Sequence, residues 1–172
     1  MHFSLAVFHY PDEDIDSLLE PFDEELEVER YIIYTRQEAI DYARANFRSC
    51  KDASDEECWK AMAEEANDTD EEGNIYSTSN PDAKWDWWEI GGRWPGMLKV
   101  GDSRRNSAFV KDIDFDAAPF ATFAVLTPDG EWHEQESKSW LSLDQDWESH
   151  YKDRFIDTAT PDLMLTIVDC HV

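Results

Sequence analysis

Apolar residues form short, dense runs near both ends of the chain. Phe3–Tyr10 is nearly continuous in apolar side chains and stops at Pro11, which is typical of a strand buried on both faces. Leu163–Val168, after Pro161, predicts a closing strand. Val28–Tyr34 is rich in β-branched and aromatic residues and predicts a further strand. The pattern therefore predicts strands at both ends of the sequence.

Two capping boxes predict helices in the first half of the chain. Thr35 and Glu38 have the spacing at which a hydroxyl and a carboxylate cap a helix reciprocally, and apolar residues on one stripe follow, so a helix is expected from about 35 to 49. Ser54 and Glu57 repeat this spacing and predict a second helix that ends near residue 67. Further helical stretches are predicted over Asp14–Leu19 and Asp144–Asp157.

The remaining pattern predicts a hairpin and a loop. Ala121–Thr127 and Glu131–Glu134 are strand-like runs separated by Pro-Asp-Gly, which is typical of a β-hairpin. The polar stretch from about 68 to 84 is expected to be an exposed connection. We therefore predict one acidic α+β domain over residues 1–172. Its mostly antiparallel sheet is expected to contain the N- and C-terminal strands and a central hairpin, with helices packed on it.

Charge narrows the possible functions. The 172 residues include 40 Asp and Glu against 15 Lys and Arg, so the formal net charge is -25. Such a charge repels nucleic-acid phosphates and anionic membranes, so we expect neither direct nucleic-acid binding nor membrane binding. Aromatic residues make up 13% of the chain, including 8 Trp, and this argues against disorder.

The cysteines and the first apolar run indicate a compartment. Cys50, Cys58 and Cys170 lack the Cys-x-x-Cys spacing of zinc and redox sites, so they are expected to be reduced and buried. The run from Phe3 to Phe8 is too short for a signal-peptide core or a membrane span. A cytoplasmic protein is expected.

The most unusual segment is Asn80–Trp94, in which four Trp fall within ten residues. Indole faces accept planar or cationic groups, paired glycines allow close backbone approach, and an arginine can bind a carboxylate or phosphate with two hydrogen bonds. A ligand pocket is one interpretation. The other, which we rank somewhat ahead, is that the tryptophans are core residues and Arg93 pairs with Asp86 or Glu89. The candidate pocket residues are Trp85, Asp86, Trp88, Arg93 and Trp94.

Lys84–Trp94 reads Lys-Trp-Asp-Trp-aromatic-x-Ile-Gly-Gly-Arg-Trp. It resembles a motif of a family of uncharacterised proteins from bacteriophages and their bacterial hosts. Leu19–Tyr31 and Phe123–His133 are similar to the same family. The resemblance implies a phage or prophage setting and carries over no catalytic residue.

A second candidate surface is acidic. Ten carboxylates and no basic residue lie between Asp12 and Glu29. A helical row with carboxylates at every fourth residue would space charges roughly 6 Å apart, as a phosphate-binding groove could accept. The row is Asp52, Glu56, Glu64, Asp68 and Glu72, interrupted by Lys60. The predicted partner-binding face comprises Asp23, Glu24, Glu25, Asp52, Glu56, Glu57, Glu64, Glu65, Asp68 and Glu72.

Two functions follow as hypotheses. The leading one is a phage-encoded acidic binding protein, cytoplasmic in the host cell. It would mimic nucleic acid and so inhibit a host nucleic-acid-directed defence, such as a CRISPR effector, whose groove is basic. A merely solvated acidic face is the competing interpretation of the charge. The alternative function is a small-molecule or nucleotide-binding domain, with or without enzymatic activity, built around Trp85–Trp94.

Other motifs argue against metal and cofactor chemistry. Asp68–Ser79 has the early acidic positions of a calcium-binding loop, but Ser79 stands where the bidentate Glu belongs, so an acidic turn is predicted. His133-Glu-Gln-Glu lacks the second His of zinc proteases. No Walker loop, nucleophile elbow or dinucleotide fingerprint is present. We expect no catalytic residue, cofactor or metal from these motifs.

Overall fold

A computed structural model describes residues 1–66, 68–117, 120–135 and 145–172. Its contacts divide the chain into two compact units. Unit 1 comprises Met1–Glu24 and Asp82–Val172, and unit 2 comprises Glu25–Pro81. The expectation that residues 1–172 behave as a single domain stays a prediction.

The described elements follow in chain order. The helices are α1 (Ile15–Leu19), α2 (Arg36–Asn46), α3 (Asp55–Glu65) and α4 (Gln145–Tyr151). The strands are β1 (His2–His9), β2 (Glu27–Tyr34), β3 (Ile75–Ser79), β4 (Trp87–Ile90), β5 (Leu98–Val100), β6 (Ser103–Arg105), β7 (Ser107–Phe109), β8 (Ala124–Leu126), β9 (Trp132–Glu134) and β10 (Met164–His171).

Unit 1 is built on one mixed sheet. Its strand order is β4-β10-β1-β8-β9, and β7 pairs with the part of β10 that β4 leaves free. The terminal strands β1 and β10 pair antiparallel along their whole length, from His2–His171 to His9–Met164. Only the β1–β8 pair of this sheet is parallel among the described strands. The predicted α+β class, with a mostly antiparallel sheet of terminal strands and hairpin, is confirmed.

The sheet of unit 1 is covered on both faces, which explains the unbroken apolar run of β1. Successive side chains of a strand point to opposite faces. Ala6 and Phe8 belong to one core, which we call the first-face core and which includes Tyr151. Leu5 and Val7 belong to the other, the second-face core. Because neither face meets water, no polar alternation is needed.

The predicted hairpin and acidic helix are present in unit 1. β8 and β9 pair antiparallel across a turn in which the Thr127 amide donates to the Glu131 carbonyl at 3.1 Å. α4 continues into a π-helical turn over Lys152–Ile156, which directs Phe155 into the first-face core. The beginning of the predicted helix, at Asp144, lies outside the described residues.

Unit 2 combines β2 and β3, which pair antiparallel, with α2 and α3. Both capping boxes are present as predicted. The helices bury a small core that includes Ile40, Cys58 and Met62. α2 ends at Asn46, before the expected residue 49, because the chain turns into a 3-10 segment over Arg48–Cys50 that buries Cys50.

The polar stretch from 68 to 84 is not merely an exposed connection. Its residues Ile75–Ser79 form β3, and Ile75 and Asn80 are buried. A single apolar side chain, Ile75, joins this strand to the helical core of unit 2. The stretch has too little apolar character for the strand to be visible in the sequence alone, because its pairing with β2 depends on a distant segment of the chain.

Candidate functional site

The tryptophan-rich segment divides between the two faces of the unit 1 sheet. Trp85 is buried in the second-face core, where its Nε1 donates to the Leu19 carbonyl at 3.1 Å, and Trp88 packs partly against the same core. Trp87 is exposed. Trp94 packs against the first-face core. The five candidate pocket residues therefore do not line one site, and the core interpretation applies in full only to Trp85.

The turn after β4 explains the two glycines of the motif. Gly91 and Gly92 have φ of 78° and 43°, a conformation that other residues rarely adopt. A Cβ on Gly91 would lie 2.3 Å from Asn106 Nδ2, and one on Gly92 would lie 2.3 Å from Asp169 Cβ. Both glycines are therefore needed for conformation and for space.

Asp169 and Asn106 hold the loop that follows these glycines. The buried Asp169 accepts the Arg93 amide at Oδ2, at 2.9 Å, and lies 2.8 Å from His2 Nδ1 through Oδ1. Asn106 Oδ1 accepts the Gly96 amide at 2.6 Å. Two polar side chains thus fix the loop over 91–97 by its backbone, which orients the side chains that it carries.

This loop forms one wall of a cavity of about 480 Å³ in unit 1. We call the cavity the basic pocket. It is lined by Arg93, Trp94, Pro95, Gly96, Met97, Lys99, Arg104, Ile113, Asp114, Phe115, Ala117 and Phe120.

The apolar wall of the basic pocket is anchored in the core. The Phe115 and Phe120 rings meet edge to face with centroids 5.4 Å apart, and Phe120 contacts Tyr151 at 5.8 Å. Tyr151 is fully buried, and its hydroxyl donates to Thr122 Oγ1 at 2.7 Å. Burial raises the pKa of Tyr151, so the phenol stays neutral at physiological pH. The wall is held by packing and one buried hydrogen bond.

Three cations and one carboxylate line the basic pocket, which gives it a net charge of +2. Lys99 Nζ lies 3.5 Å from Asp114 Oδ2, so this lysine is already paired. Arg93 and Arg104 are exposed and make no ion pair with a carboxylate of the described residues. Two free guanidinium groups thus share a cavity in a protein of net charge -25.

Arg93 forms an ion pair with neither Asp86 nor Glu89 among the described residues, so the predicted pairing is wrong. Asp86 Oδ1 instead bonds His171 Nδ1 at 2.7 Å. Sequence reasoning also missed most of the pocket: Lys99, Arg104, Asp114, Phe115 and Phe120 come from separate segments, and no spacing links them. Phe115 between Asp114 and Asp116, an apolar ring in an acidic stretch, was the one available signal.

A larger cavity of about 820 Å³ lies between β9 and α4. Its only permanent cation, Arg154, faces three carboxylates, Glu134, Asp146 and Asp153, so its lining has an excess of negative charge. Arg154 already lies over the Phe155 ring at 5.1 Å and 3.3 Å from His133 Nδ1. The basic pocket, with its excess positive charge, is the more distinctive site.

The predicted row of carboxylates is broken. α3 carries Glu56 and Glu64, but the helix ends at Glu65, where Ala66 adopts an extended conformation. Asp68 and Glu72 therefore do not continue the helical row, and Asp52 precedes the helix. The row prediction is wrong because it continued the helical spacing past the end of the helix, which the sequence placed near residue 67 and the structure places at Glu65.

Several of these carboxylates are occupied by contacts within unit 2. Glu56 pairs with Arg36, and Asp68 binds Arg30 with Nε–Oδ2 at 2.5 Å. Glu57 accepts the Ser54 amide of its capping box, which lowers the pKa of the Glu57 carboxyl. These pairs neutralise part of the predicted acidic face.

The other predicted acidic residues divide between the units. Asp52, Glu64 and Glu65 are exposed in unit 2 and form no ion pair within the described chain. Asp23 and Glu24 belong to unit 1, where the Glu24 amide donates to the Trp85 carbonyl. Glu25 and Glu72 belong to unit 2, and both are exposed.

The calcium-like loop is an acidic turn organised by Asp70. Its carboxylate accepts the amides of Glu72 and Asn74, the Asn74 side chain, and the Tyr76 hydroxyl, at 2.9–3.0 Å. These bonds, those from Asn74 first, lower the pKa of Asp70 to about 2. Within the described residues, no group of three or more His, Cys, Asp or Glu is arranged to hold a metal ion.

Comparison with protein-family models, with curated proteins and with solved structures gives no match to this chain. No helix of the described residues combines the length and apolar character required to cross a membrane.

Proposed function

We propose that the protein binds a small organic anion in the basic pocket. The observation that carries this proposal is a pair of guanidinium groups beside an aromatic wall, those of Arg93 and Arg104, which have no carboxylate partner among the described residues. Arg30, Arg36 and Arg44 of unit 2 are each paired with a carboxylate. Among the described arginines without such a pair, Arg93 and Arg104 are the two that line this cavity. With so many carboxylates available, two arginines free on one cavity favour an external anion as their partner.

The overall charge does not prevent such binding. At physiological ionic strength, exposed charges are screened over about 8 Å. Carboxylates farther away than this act weakly on a ligand inside the pocket, whereas cations in contact with it act at full strength. The apolar side of the pocket also lowers the local dielectric constant and strengthens those contacts. Among the side chains that line the pocket, positive charge therefore exceeds negative charge by two.

The test is a calorimetric titration of the full chain with inorganic phosphate, citrate, benzoate and adenosine 5′-monophosphate. The variant Arg104→Ala should weaken the best anion at least tenfold, because a hydrogen bond to a charged group contributes about 1.5–3 kcal/mol. Arg105→Ala is the matched control, because Arg105 neighbours Arg104 on β6 but does not line the pocket. It should change the affinity less than twofold. Equal losses in the two variants, or no binding of any anion, would refute the proposal.

We propose a second function for the acidic surface, because Asp52, Glu64 and Glu65 are exposed and carry no ion pair within the described chain. The net charge of -25 and the resemblance to a phage family support a role in the host cytoplasm. There the protein would occupy the basic nucleic-acid groove of a host defence complex, as a mimic of its phosphates.

A competition assay with DNA tests this second function. The protein should displace DNA from a host CRISPR effector, and the displacement should weaken steeply as salt increases. Reversing Asp52, Glu64 and Glu65 to Lys should abolish it. A control variant with the same change in net charge reverses three exposed carboxylates of unit 1, Asp12, Asp102 and Asp112. If both variants lose competition equally, the effect is net charge alone and the proposed surface is wrong.

A further inference from the structure

We propose that the ligand of the basic pocket is a mononucleotide, with its phosphate bound by Arg93 and Arg104 and its base against the aromatic wall. This inference rests on the proposed anion-binding function and specifies the ligand class. It joins two properties of one cavity: a local excess of two positive charges and an apolar surface of aromatic rings.

The charge of the basic pocket matches a phosphate monoester. Such a group carries about -1.5 to -2 charges at pH 7, and the pocket has a net charge of +2 once Asp114 is counted against its three cations. A single carboxylate would leave one cation uncompensated. Guanidinium groups present paired N–H donors that fit phosphate oxygens bidentately, whereas an ammonium acts as a point charge. The two free arginines are therefore suited to phosphate.

The apolar side of the pocket fits a planar ring. Trp94, Phe115 and Phe120 all line the cavity, and Phe120 is braced against the buried Tyr151. Aromatic side chains stack on nucleobases whatever their identity, because every base has a π face. Rings held by the core are already ordered, so the ligand pays little entropy for ordering them.

Size and polar groups are consistent with one nucleotide. The volume of about 480 Å³ lies within the range of roughly 300–1,000 Å³ that small-molecule pockets have. Asp114 supplies a carboxylate acceptor for a ribose hydroxyl or an exocyclic amine. Asp169 and Asn106 act as positioning residues, because each holds a backbone amide of the loop that carries Arg93. The phosphate would thus be bound by side chains, in a chain without a glycine-rich phosphate loop.

The test compares the parts of a nucleotide by calorimetric titration of the full chain. Adenosine 5′-monophosphate should bind at least tenfold more tightly than ribose 5-phosphate or adenosine. Phe115→Leu should reduce the preference for adenosine 5′-monophosphate over ribose 5-phosphate, but the variant should still bind phosphate. Arg104→Ala should reduce the preference for adenosine 5′-monophosphate over adenosine. Arg105→Ala should change neither of these two preferences. Circular dichroism and the melting temperature establish that each variant is folded, and Phe115→Leu keeps an apolar side chain at the wall.

The possible results distinguish the mononucleotide inference from the anion-binding proposal on which it rests. If ribose 5-phosphate binds as tightly as the nucleotide, or citrate more tightly, the ligand class is wrong and the anion-binding function stands. If no anion binds, both are wrong. If the nucleotide binds but Arg104→Ala and Arg105→Ala weaken it equally, it binds elsewhere and the assignment to the basic pocket is refuted.

Discussion

Replacing Gly92 by alanine tests the structural basis of the Gly-Gly-Arg motif. The new methyl group would lie 2.3 Å from Asp169 Cβ and 2.4 Å from its Oδ2. Neither distance can be kept, because non-bonded carbon atoms approach favourably only to about 3.5–4.0 Å. Asp169 is buried on a central strand, so the turn and the strand must separate.

The expected destabilisation has two parts. A positive φ of 43° costs a residue with a Cβ about 1–2 kcal/mol. Displacing Asp169 weakens its hydrogen bonds to the Arg93 amide and to His2. A buried charged group that loses a partner costs at least a further 2 kcal/mol or so. The total is about 3–5 kcal/mol, a large part of the 5–15 kcal/mol that stabilises a typical domain.

Gly101→Ala is the matched control. Gly101 also has a positive φ, of 56°, but no atom lies within 4 Å of the Cβ position. It should therefore show only the conformational cost, about 1–2 kcal/mol. Urea unfolding followed by tryptophan fluorescence measures both variants, because all tryptophans except Trp59 belong to unit 1. If Gly92→Ala costs no more than Gly101→Ala, the close approach of the turn to Asp169 does not limit stability.

Three further predictions concern other parts of the chain. The pKa of Asp70 is lowered from 3.8 to about 2, so its contribution to the stability of unit 2 is complete above about pH 4 and is lost as the pH falls towards 2. Unfolding followed by circular dichroism as a function of pH should show this loss in the parent protein and not in Asp70→Asn. Identical pH profiles for the two proteins would contradict the prediction. Burial raises the pKa of Cys58 and Cys170, so a thiol reagent at pH 8 should label them only after unfolding, and rapid labelling of the native protein would disagree. Tyr151→Phe removes the hydrogen bond to Thr122 and should lower the free energy of unfolding by about 1 kcal/mol, a value that an unchanged urea midpoint would exclude.

Local sequence patterns predicted the helices, the two terminal strands, β2 and the hairpin because their causes are local. The Thr35 and Ser54 capping boxes need only a hydroxyl and a carboxylate three residues apart, and both helices begin where the boxes place them. The continuous apolar run of β1 indicated burial on both faces, which the two cores provide. The strands β3 to β7 were missed because they are short and form by pairing with strands elsewhere in the chain or with each other.

The composition of the candidate sites could not be predicted from neighbouring residues in the sequence. Arg93 and Trp94 were selected from a motif, yet their pocket partners Arg104 and Phe115 are supplied by other segments, and only the folded chain brings them to one cavity. The acidic row failed for the same reason, since α3 ends at Glu65 and distant arginines pair with carboxylates that look free in the sequence.

The sequence by itself determined the class of the protein: an acidic chain of α+β type, with terminal strands, capped helices and a turn that requires glycine. These features depend on propensity, periodicity and charge, which are properties of neighbouring residues. Tertiary structure alone decided that the motif lies across two faces of a sheet and that Asp169 requires Gly92. It also decided that two arginines without a carboxylate partner among the described residues meet an aromatic wall. Those outcomes depend on contacts between residues far apart in the sequence, such as Gly92 and Asp169, 77 positions apart, and such contacts are set by the packing of the whole sheet.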